Sequence, residues 1–396
     1  MVFFEIIITK TLDMVLKYSV GLDVSGKKID ACISTIDQIQ KVVIKSTKGI
    51  SNNLTGFKLL TQWIEKHWND KTVPLVISME ATGVYHEQCA LYLYEKQYNV
   101  SIILPNKSNK YMQSIGLKSK NDSIDAKGLS QMGAEQYLKL WQPMGKYFYE
   151  LRALTRQHQN IQESKTAIKN QIHALEHSMY PSKEVLKQLH STIKLFDKQL
   201  IAIEKLIEKL VSDNTAVSEK VKKICKIKGL SILSVATVLA ETNGFELFEN
   251  YKQVVSYAGY DVIENQSGNK KGKTKISKKG NSRIRRILFM PAFSAVTHKQ
   301  KPLIDLYNRT FEKHGIKMKS YVAVQKKLLV IIYTLWKSEK EFNHLHQTNS
   351  PAISRATQDS HYRNDFSFDV QIYKYLSNDE TKKNPEKVYS YCETLE

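Results

Sequence analysis

Four carboxylates stand out by their placement. Asp23 closes the apolar run Tyr18-Ser-Val-Gly-Leu-Asp-Val24, Glu80 closes Leu75-Val-Ile-Ser-Met-Glu80, and Asp122 and Asp125 lie three apart in Lys120-Asn-Asp-Ser-Ile-Asp-Ala126. An ionised group at the end of a buried strand is costly unless it is paired or binds a metal. If the segment around 122–125 is helical, both of its carboxylates project from one face. Oxygen-ligand residues converging from three places can hold two hard cations such as magnesium. Two such ions, roughly 4 Å apart, stabilise the attacking and leaving oxygens of a phosphodiester displacement. Taken singly, each residue has a plainer explanation: Asp23 makes a turn with Ser25 and Gly26, Glu80 caps the next helix, and Asp122 and Asp125 are solvated or capping residues.

A second stretch is rich in hydroxyls and cations. From Ser267 through Arg286 there are nine Lys/Arg and no acid: Lys270, Lys271, Lys273, Lys275, Lys278, Lys279, Arg283, Arg285 and Arg286. Glycines at 268, 272 and 280 rule out a continuous stable helix, so the first part reads as a loop or short hairpin whose amides can approach a phosphate. The three arginines then open an apolar helix running through Met290. A generic solvated basic loop is the alternative on composition. The stretch also carries serines, and a serine needs a base or a metal to become a nucleophile.

These residues need elements to position them. Residues 18–24, 29–35 and 41–46 read as successive strands, 54–68 as a helix, 75–80 as a strand, 85–96 as a helix and 100–105 as a strand. That order predicts an α/β domain with a mixed sheet. After Pro143 apolar residues recur at three- and four-residue spacing over 147–180 and 182–212. Pro181 divides them, giving two long antiparallel helices that could also dimerise. Residues 221–340 read as mostly helical, with a helix–Gly turn–helix over 226–236 of the kind that grips a DNA backbone. Beyond 342 the chain turns polar.

Charge sorts these regions. Of the net +20, residues 221–340 hold +16, against +4 for 1–145, +3 for 146–220 and −3 for 341–396. Such an excess fits a surface that neutralises phosphates, so a nucleic acid is the leading partner. Cys32, Cys89, Cys225 and Cys392 lack the spacing of a zinc cluster or disulfide framework. No apolar run reaches the roughly 18 residues that span a bilayer. The first residues lack the basic region and cleavage site of a signal peptide, and Met14 is an alternative start. The expected setting is cytoplasmic.

Gly-Leu-Asp-Val-Ser followed by Lys28 and a strand, Met-Glu-Ala-Thr-Gly-Val-Tyr, Pro-Asn, and Lys-Asn-Asp-Ser-Ile-Asp-Ala-Lys together resemble the DEDD transposases of the insertion-sequence 110 family. The resemblance covers roughly residues 18–340. It implies an α/β RuvC-like (RNase H-like) DEDD domain over 18–145, a helical coiled-coil hairpin over 146–215 and a mostly α-helical transposase domain over 221–340. Outside it, composition leaves an N-terminal extension over 1–17 and a polar, partly disordered tail over 341–396, so the chain reads as multidomain. By motif it assigns Asp23, Glu80, Asp122 and Asp125 as ligands of Mg2+ or Mn2+. It makes Ser267, in the Ser-Gly pair upstream of Ile276-Ser-Lys-Lys-Gly-Asn281, the nucleophile, with Ser277 in a capping or positioning role. Carboxylate-bound metals would activate the serine, so the active site would be composite.

The same resemblance implies excision and insertion of a mobile element through a covalent serine–DNA intermediate, assembly as a homo-oligomer (dimer or tetramer), and guidance by an element-encoded bridge RNA. The modest charge of the first two regions leaves RNA contact to local patches such as Lys107, Lys110, Lys118 and Lys120. Two other readings stay open: a metal-dependent junction resolvase using water, which needs no Ser267, and a nucleic-acid-binding protein without catalysis. His86 reads as structural, Tyr85 as a core residue, and Trp68, Trp141 and Trp336 as anchors at element ends.

Overall fold

The computed structural model describes residues 14–81, 83–116, 121–264, 266–268, 270–272 and 274–338. Residues 1–13 of the N-terminal extension, Lys118, Lys120, Lys273 and the tail over 341–396 lie outside the described residues. The chain divides into two compact units, Met1–Pro143 and Met144–Glu396.

In the first unit, β1 (Val15–Val24), β2 (Lys28–Asp37) and β3 (Val42–Ser51) form an antiparallel meander. There follow α1 (Leu54–His67), β4 (Leu75–Glu80), α2 (Glu87–Glu95), β5 (Asn99–Ile103), α3 (Pro105–Ser114) and α4 (Asp122–Glu135). The five-stranded sheet has the order β3-β2-β1-β4-β5, with β4 parallel to β1 and β5 parallel to β4. It is the mixed sheet the strand order predicts.

Alternation along the strands gives the sheet two unlike faces. Val20, Leu22, Ile33, Ile77 and Met79 join Phe57, Leu60 and Ile64 of α1 and Leu93 of α2 in one buried aliphatic core. The other face carries small residues, and α4 lies directly on it. A Cβ on Gly21 would sit 2.2 Å from both the Ala126 carbonyl oxygen and the Ser130 amide, so only glycine permits this approach. Buried hydroxyls stitch the seam: Ser130 Oγ bonds the Ser19 carbonyl (2.9 Å) and Ser34 Oγ (2.7 Å), and Ser78 Oγ donates to the Leu129 carbonyl (2.8 Å).

Two boundaries depart from the sequence reading. β5 ends at Ile103, and Pro105 opens α3, where its missing N–H breaks no bond. Because α2 starts only at Glu87, Tyr85 falls in the preceding turn and is 53% exposed, which corrects its assignment to the core. His86 is buried at the start of α2.

The second unit opens with two 31-residue helices, α5 (Lys146–Glu176) and α6 (Lys183–Asp213), that pack along each other. Next come α7 (Thr215–Cys225), α8 (Ile232–Glu241), α9 (Tyr251–Tyr257), four two-residue strands β6 to β9 between Val262 and Ile276, α10 (Ser282–Ile287), α11 (Phe289–Thr297), α12 (Leu303–His314) and α13 (Lys317–Lys337). α8 is buried from Ser234 through Glu241 and packs on α5, α6, α7 and α10. That environment suits a helix that is apolar on every side. The helix expected to run from Arg283 through Met290 is instead two helices broken at Leu288. Pro291 lacks the N–H that would bond the Ile287 carbonyl, and its ring would crowd that oxygen.

Candidate active site

The carboxylates of the first unit gather at one end of the sheet. Leu22 pairs with Met79 in the parallel β1–β4 ladder, so Asp23 and Glu80 follow side by side at the ends of neighbouring strands. Asp122 and Asp125 occupy the first turn of α4, which is capped by Asn121 accepting from the Ile124 amide (2.8 Å). The close approach at Gly21 carries this turn to Asp23. Half-burial first, and then the charges of Asp122, Asp125, Glu80 and Asp30, together push the Asp23 carboxyl pKa up to about 6. These acids therefore share one electrostatic field.

Two partners of this cluster, Asp30 and Ser108, escaped the sequence reading, which named Lys28 only as a motif residue. Asp30 stands opposite Asp23 across the β1–β2 ladder, and Lys28 Nζ lies 2.8 Å from its Oδ1. The Lys28 ammonium is held above its ordinary pKa, first by the hydrogen bond to Asp30 and then by the charges of Asp30 and Asp122. Buried Ser108, on α3, donates its hydroxyl proton to Glu80 Oε2 at 2.6 Å. The β1–β2 register would have revealed Asp30, because a tight turn puts its residue opposite Asp23 on the same face.

The cluster is looser than a finished cage: among the described residues no three His, Cys, Asp or Glu side chains converge closely enough to hold one ion together. Like charges resist closer approach, and Glu80 and Asp30 each have an oxygen engaged by a neighbour. The all-oxygen donor set nevertheless fits a hard divalent cation, and positive charge placed among these acids would relieve the repulsion that raises Asp23.

In the second unit the basic serine stretch is a pair of nested hairpins. β6 (Val262–Ile263) pairs with β9 (Lys275–Ile276), and within them β7 (Gln266–Ser267) pairs with β8 (Lys270–Lys271), with Ser267 opposite Lys270. Gly268 turns the inner pair at φ +54°. At the hairpin's base two backbones touch: a Cβ on Gly280 would lie 2.5 Å from the Gly259 amide nitrogen and the Tyr257 carbonyl oxygen. Ser277 closes that base, donating its amide to the Asp261 carbonyl (2.8 Å) and its hydroxyl to Asp261 Oδ1 (2.5 Å).

The cations divide by role. Lys275, Lys278 and Lys279 are exposed. Arg285 Nη1 donates to the Ala258 carbonyl (2.9 Å) and Arg286 pairs with Glu163 of α5, so both engage protein acceptors. Arg283 Nε is buried without a hydrogen-bond partner, 4.0 Å from Glu241 Oε1, while a third of its side chain stays exposed. In the first unit Lys107 and Lys110 are exposed on α3.

Residues 20–181 match the DEDD transposase profile of the insertion-sequence 110 family, and residues 221–308 match the profile described as Transposase IS116/IS110/IS902 family. The chain belongs to the insertion-sequence 110 family of transposases. It is thus a DNA transposase/recombinase, and its DEDD domain implies dependence on a divalent metal. The chain is 28% identical over 330 residues to the pilin gene-inverting protein of Moraxella lacunata and 27% identical to that of Moraxella bovis, covering 83% of this chain and 98% of each relative. Among solved structures it is similar to Thermus thermophilus RuvC in complex with a Holliday junction substrate, at 9% identity and a TM-score of 0.23, over 30% of this chain and 98% of that one. No described helix is long and apolar enough to cross a membrane.

Proposed function

We propose that this transposase cuts and rejoins DNA through a covalent serine–DNA intermediate, with Ser267 as nucleophile and Asp23, Glu80, Asp122 and Asp125 as the carboxylates that hold Mg2+ or Mn2+. The observation that carries the reading is the nested hairpin: Ser267 sits on a Gly-turned tip, in a stretch of lysines and without acidic residues from 267 through 286. A hydrolase using water has no need of such an element. The first unit supports a RuvC-like reading through its strand order and the acids at the end of β1 and β4.

When bound, the metal supplies Lewis-acid stabilisation of charge developing on the phosphate oxygens. The chain's own groups do the rest. The serine hydroxyl gives up its proton as its oxygen bonds phosphorus, one bridging P–O bond breaks, and the leaving deoxyribose oxygen takes up a proton, so protons balance over the step. The phosphodiester is conserved in the serine ester, so a second DNA hydroxyl rejoins the strand by the reverse exchange without a high-energy cofactor. Exposed Lys275, Lys278 and Lys279 neutralise phosphates beside the hairpin. Through its family resemblance the protein works as a homo-oligomer on the element's ends and target, directed by an element-encoded bridge RNA, with Lys107 and Lys110 among the RNA-contacting cations.

Labelled element-end DNA on denaturing gels tests the nucleophile. The expected result is a protein-linked strand in the wild type and neither cleavage nor adduct in Ser267→Ala. Metal-dependent cleavage by Ser267→Ala, with no protein-linked strand in the wild type, would assign the attack to water and make the chain a resolvase-like nuclease.

A further inference from the structure

Glu241 is a buried acid of the second unit to which the proposed chemistry gives no task. It ends α8 with only 1% of its side chain exposed. Arg156 of α5 grips it with two hydrogen bonds, Nε to Oε1 at 2.7 Å and Nη2 to Oε2 at 2.9 Å. If it served only to clasp α8 to α5, those two bonds would suffice. The carboxylate reaches further. Its Oε2 also accepts from Asn281 Nδ2 at 2.7 Å, and Arg283 Nε stands 4.0 Å from Oε1. The Glu241 main-chain oxygen accepts the Tyr257 hydroxyl at 3.0 Å.

Asn281 and Tyr257 are the residues at which the serine hairpin leaves the helical core. Asn281 donates its amide to the Tyr257 carbonyl (2.7 Å), and its Oδ1 caps α10 by accepting from the Ile284 amide (3.3 Å). A single asparagine therefore ties the returning strand, the following helix and the buried acid together. The geometry points to Glu241 as a positioning residue for the serine hairpin, acting through Asn281. This rests on the reading of Ser267 as nucleophile. Hydrogen bonds to an ionised acceptor are shorter and stronger than neutral ones, which suits a joint that holds a loop against the pull of bound DNA. Arg283, close to the same carboxylate and partly exposed, keeps guanidinium donors for a phosphate.

Asn281→Ser is the discriminating change, because serine can still cap α10 but cannot reach Glu241. In the full-length protein with labelled element-end duplex, Mg2+ and the transcript of the element's noncoding flank, the rate of protein–DNA adduct formation at saturating DNA should fall about 10- to 100-fold, the scale set by small misplacements of reacting groups. DNA affinity should hold and the protein should stay folded with a modestly lower melting temperature, and amide hydrogen exchange should quicken over 275–281 while α8 and α13 keep their protection. Tyr257→Phe, which removes the hydroxyl donor and keeps the ring, should act in the same direction more weakly and decides the matter if Asn281→Ser does not fold. Wild-type adduct rates in the folded variants, or a loss of rate matched by an equal loss of DNA affinity, overturn the inference. Absence of any adduct in the wild type removes the serine reading and this inference with it; an adduct formed equally fast by wild type and Asn281→Ser removes the inference alone.

Discussion

Asp23 and Glu241 are the same kind of residue in the same kind of place, an acid ending an apolar element, yet their surroundings pull them opposite ways. Burial and four neighbouring acids raise Asp23 to about 6. Burial also acts on Glu241, but the hydrogen bonds and charges of Arg156, Asn281 and Arg283 overcome it and hold the carboxyl below its ordinary range. Glu241 is satisfied by its own protein, as a structural joint must be. Asp23 is left among like charges, an arrangement that costs stability and persists where a function requires it.

Substitution at Asp23 should separate function from stability most sharply. A folded Asp23 keeps its proton up to about pH 6, whereas an unfolded aspartate releases it near 3.8. Between those values the folded state binds more protons, so stability falls as pH rises through the window and the penalty is complete above it. Asp23→Asn should abolish strand cleavage. In chelator it should also stabilise the protein at neutral pH by about 1 kcal/mol, a figure reduced for the site's partial exposure. Urea titrations from pH 4 to 8 check this, and a less stable Asn variant at pH 7 would show that the acids are not in conflict.

Glu241→Ala should do the reverse. It leaves the Arg156 guanidinium without its bidentate acceptor, and because that side chain is 40% exposed the cost falls at the low end for a broken buried pair, about 3 kcal/mol. The pH slope is reversed too. A depressed carboxyl contributes stability that is present above its unfolded pKa and is lost as pH falls through the folded value, so the variant should lose its deficit in acid. A deficit constant from pH 7 down to pH 3 would mean that packing around α8, and not the ion pair, sets the cost.

How far each site could be read from sequence follows from the same contrast. Strand ends reveal themselves by apolar runs, so Asp23 and Glu80 were legible, and the spacing of Asp122 and Asp125 suggested one helical face. What brings them together was not legible. Gly21 reads as an ordinary strand residue until α4 is found 2.2 Å from its missing Cβ, and Ser108 gives no sign that it supports Glu80. The basic stretch announced a hairpin through its glycines, but composition cannot tell an arginine that faces DNA from one that bonds Ala258 or Glu163. Glu241 did leave a signal: nine residues from Ile232 to Ala240 carry no charge, and the acid that ends them calls for a buried partner. The partner, Arg156, lies 85 positions away, and no local pattern links the two.

The smallest expected effect concerns the lysines, and it sharpens the division between cations that serve the fold and cations that serve the ligand. The side chains of Lys275, Lys278 and Lys279 are exposed around a hairpin base that is held by Ser277, Asp261, Asn281 and the lysines' own backbone groups. Changing all three to alanine should leave the melting temperature in place. A lysine that neutralises one phosphate adds about 0.9 to the slope of log affinity against log salt, so the triple variant should flatten it by at most about 3. Arg285→Ala serves as the control from the other class: its guanidinium bonds the Ala258 carbonyl, so stability should drop while the salt slope barely moves. An unchanged slope in the lysine variant, with a reduced slope in Arg285→Ala, would exchange the two roles and move the DNA surface from the hairpin to the helix that follows it.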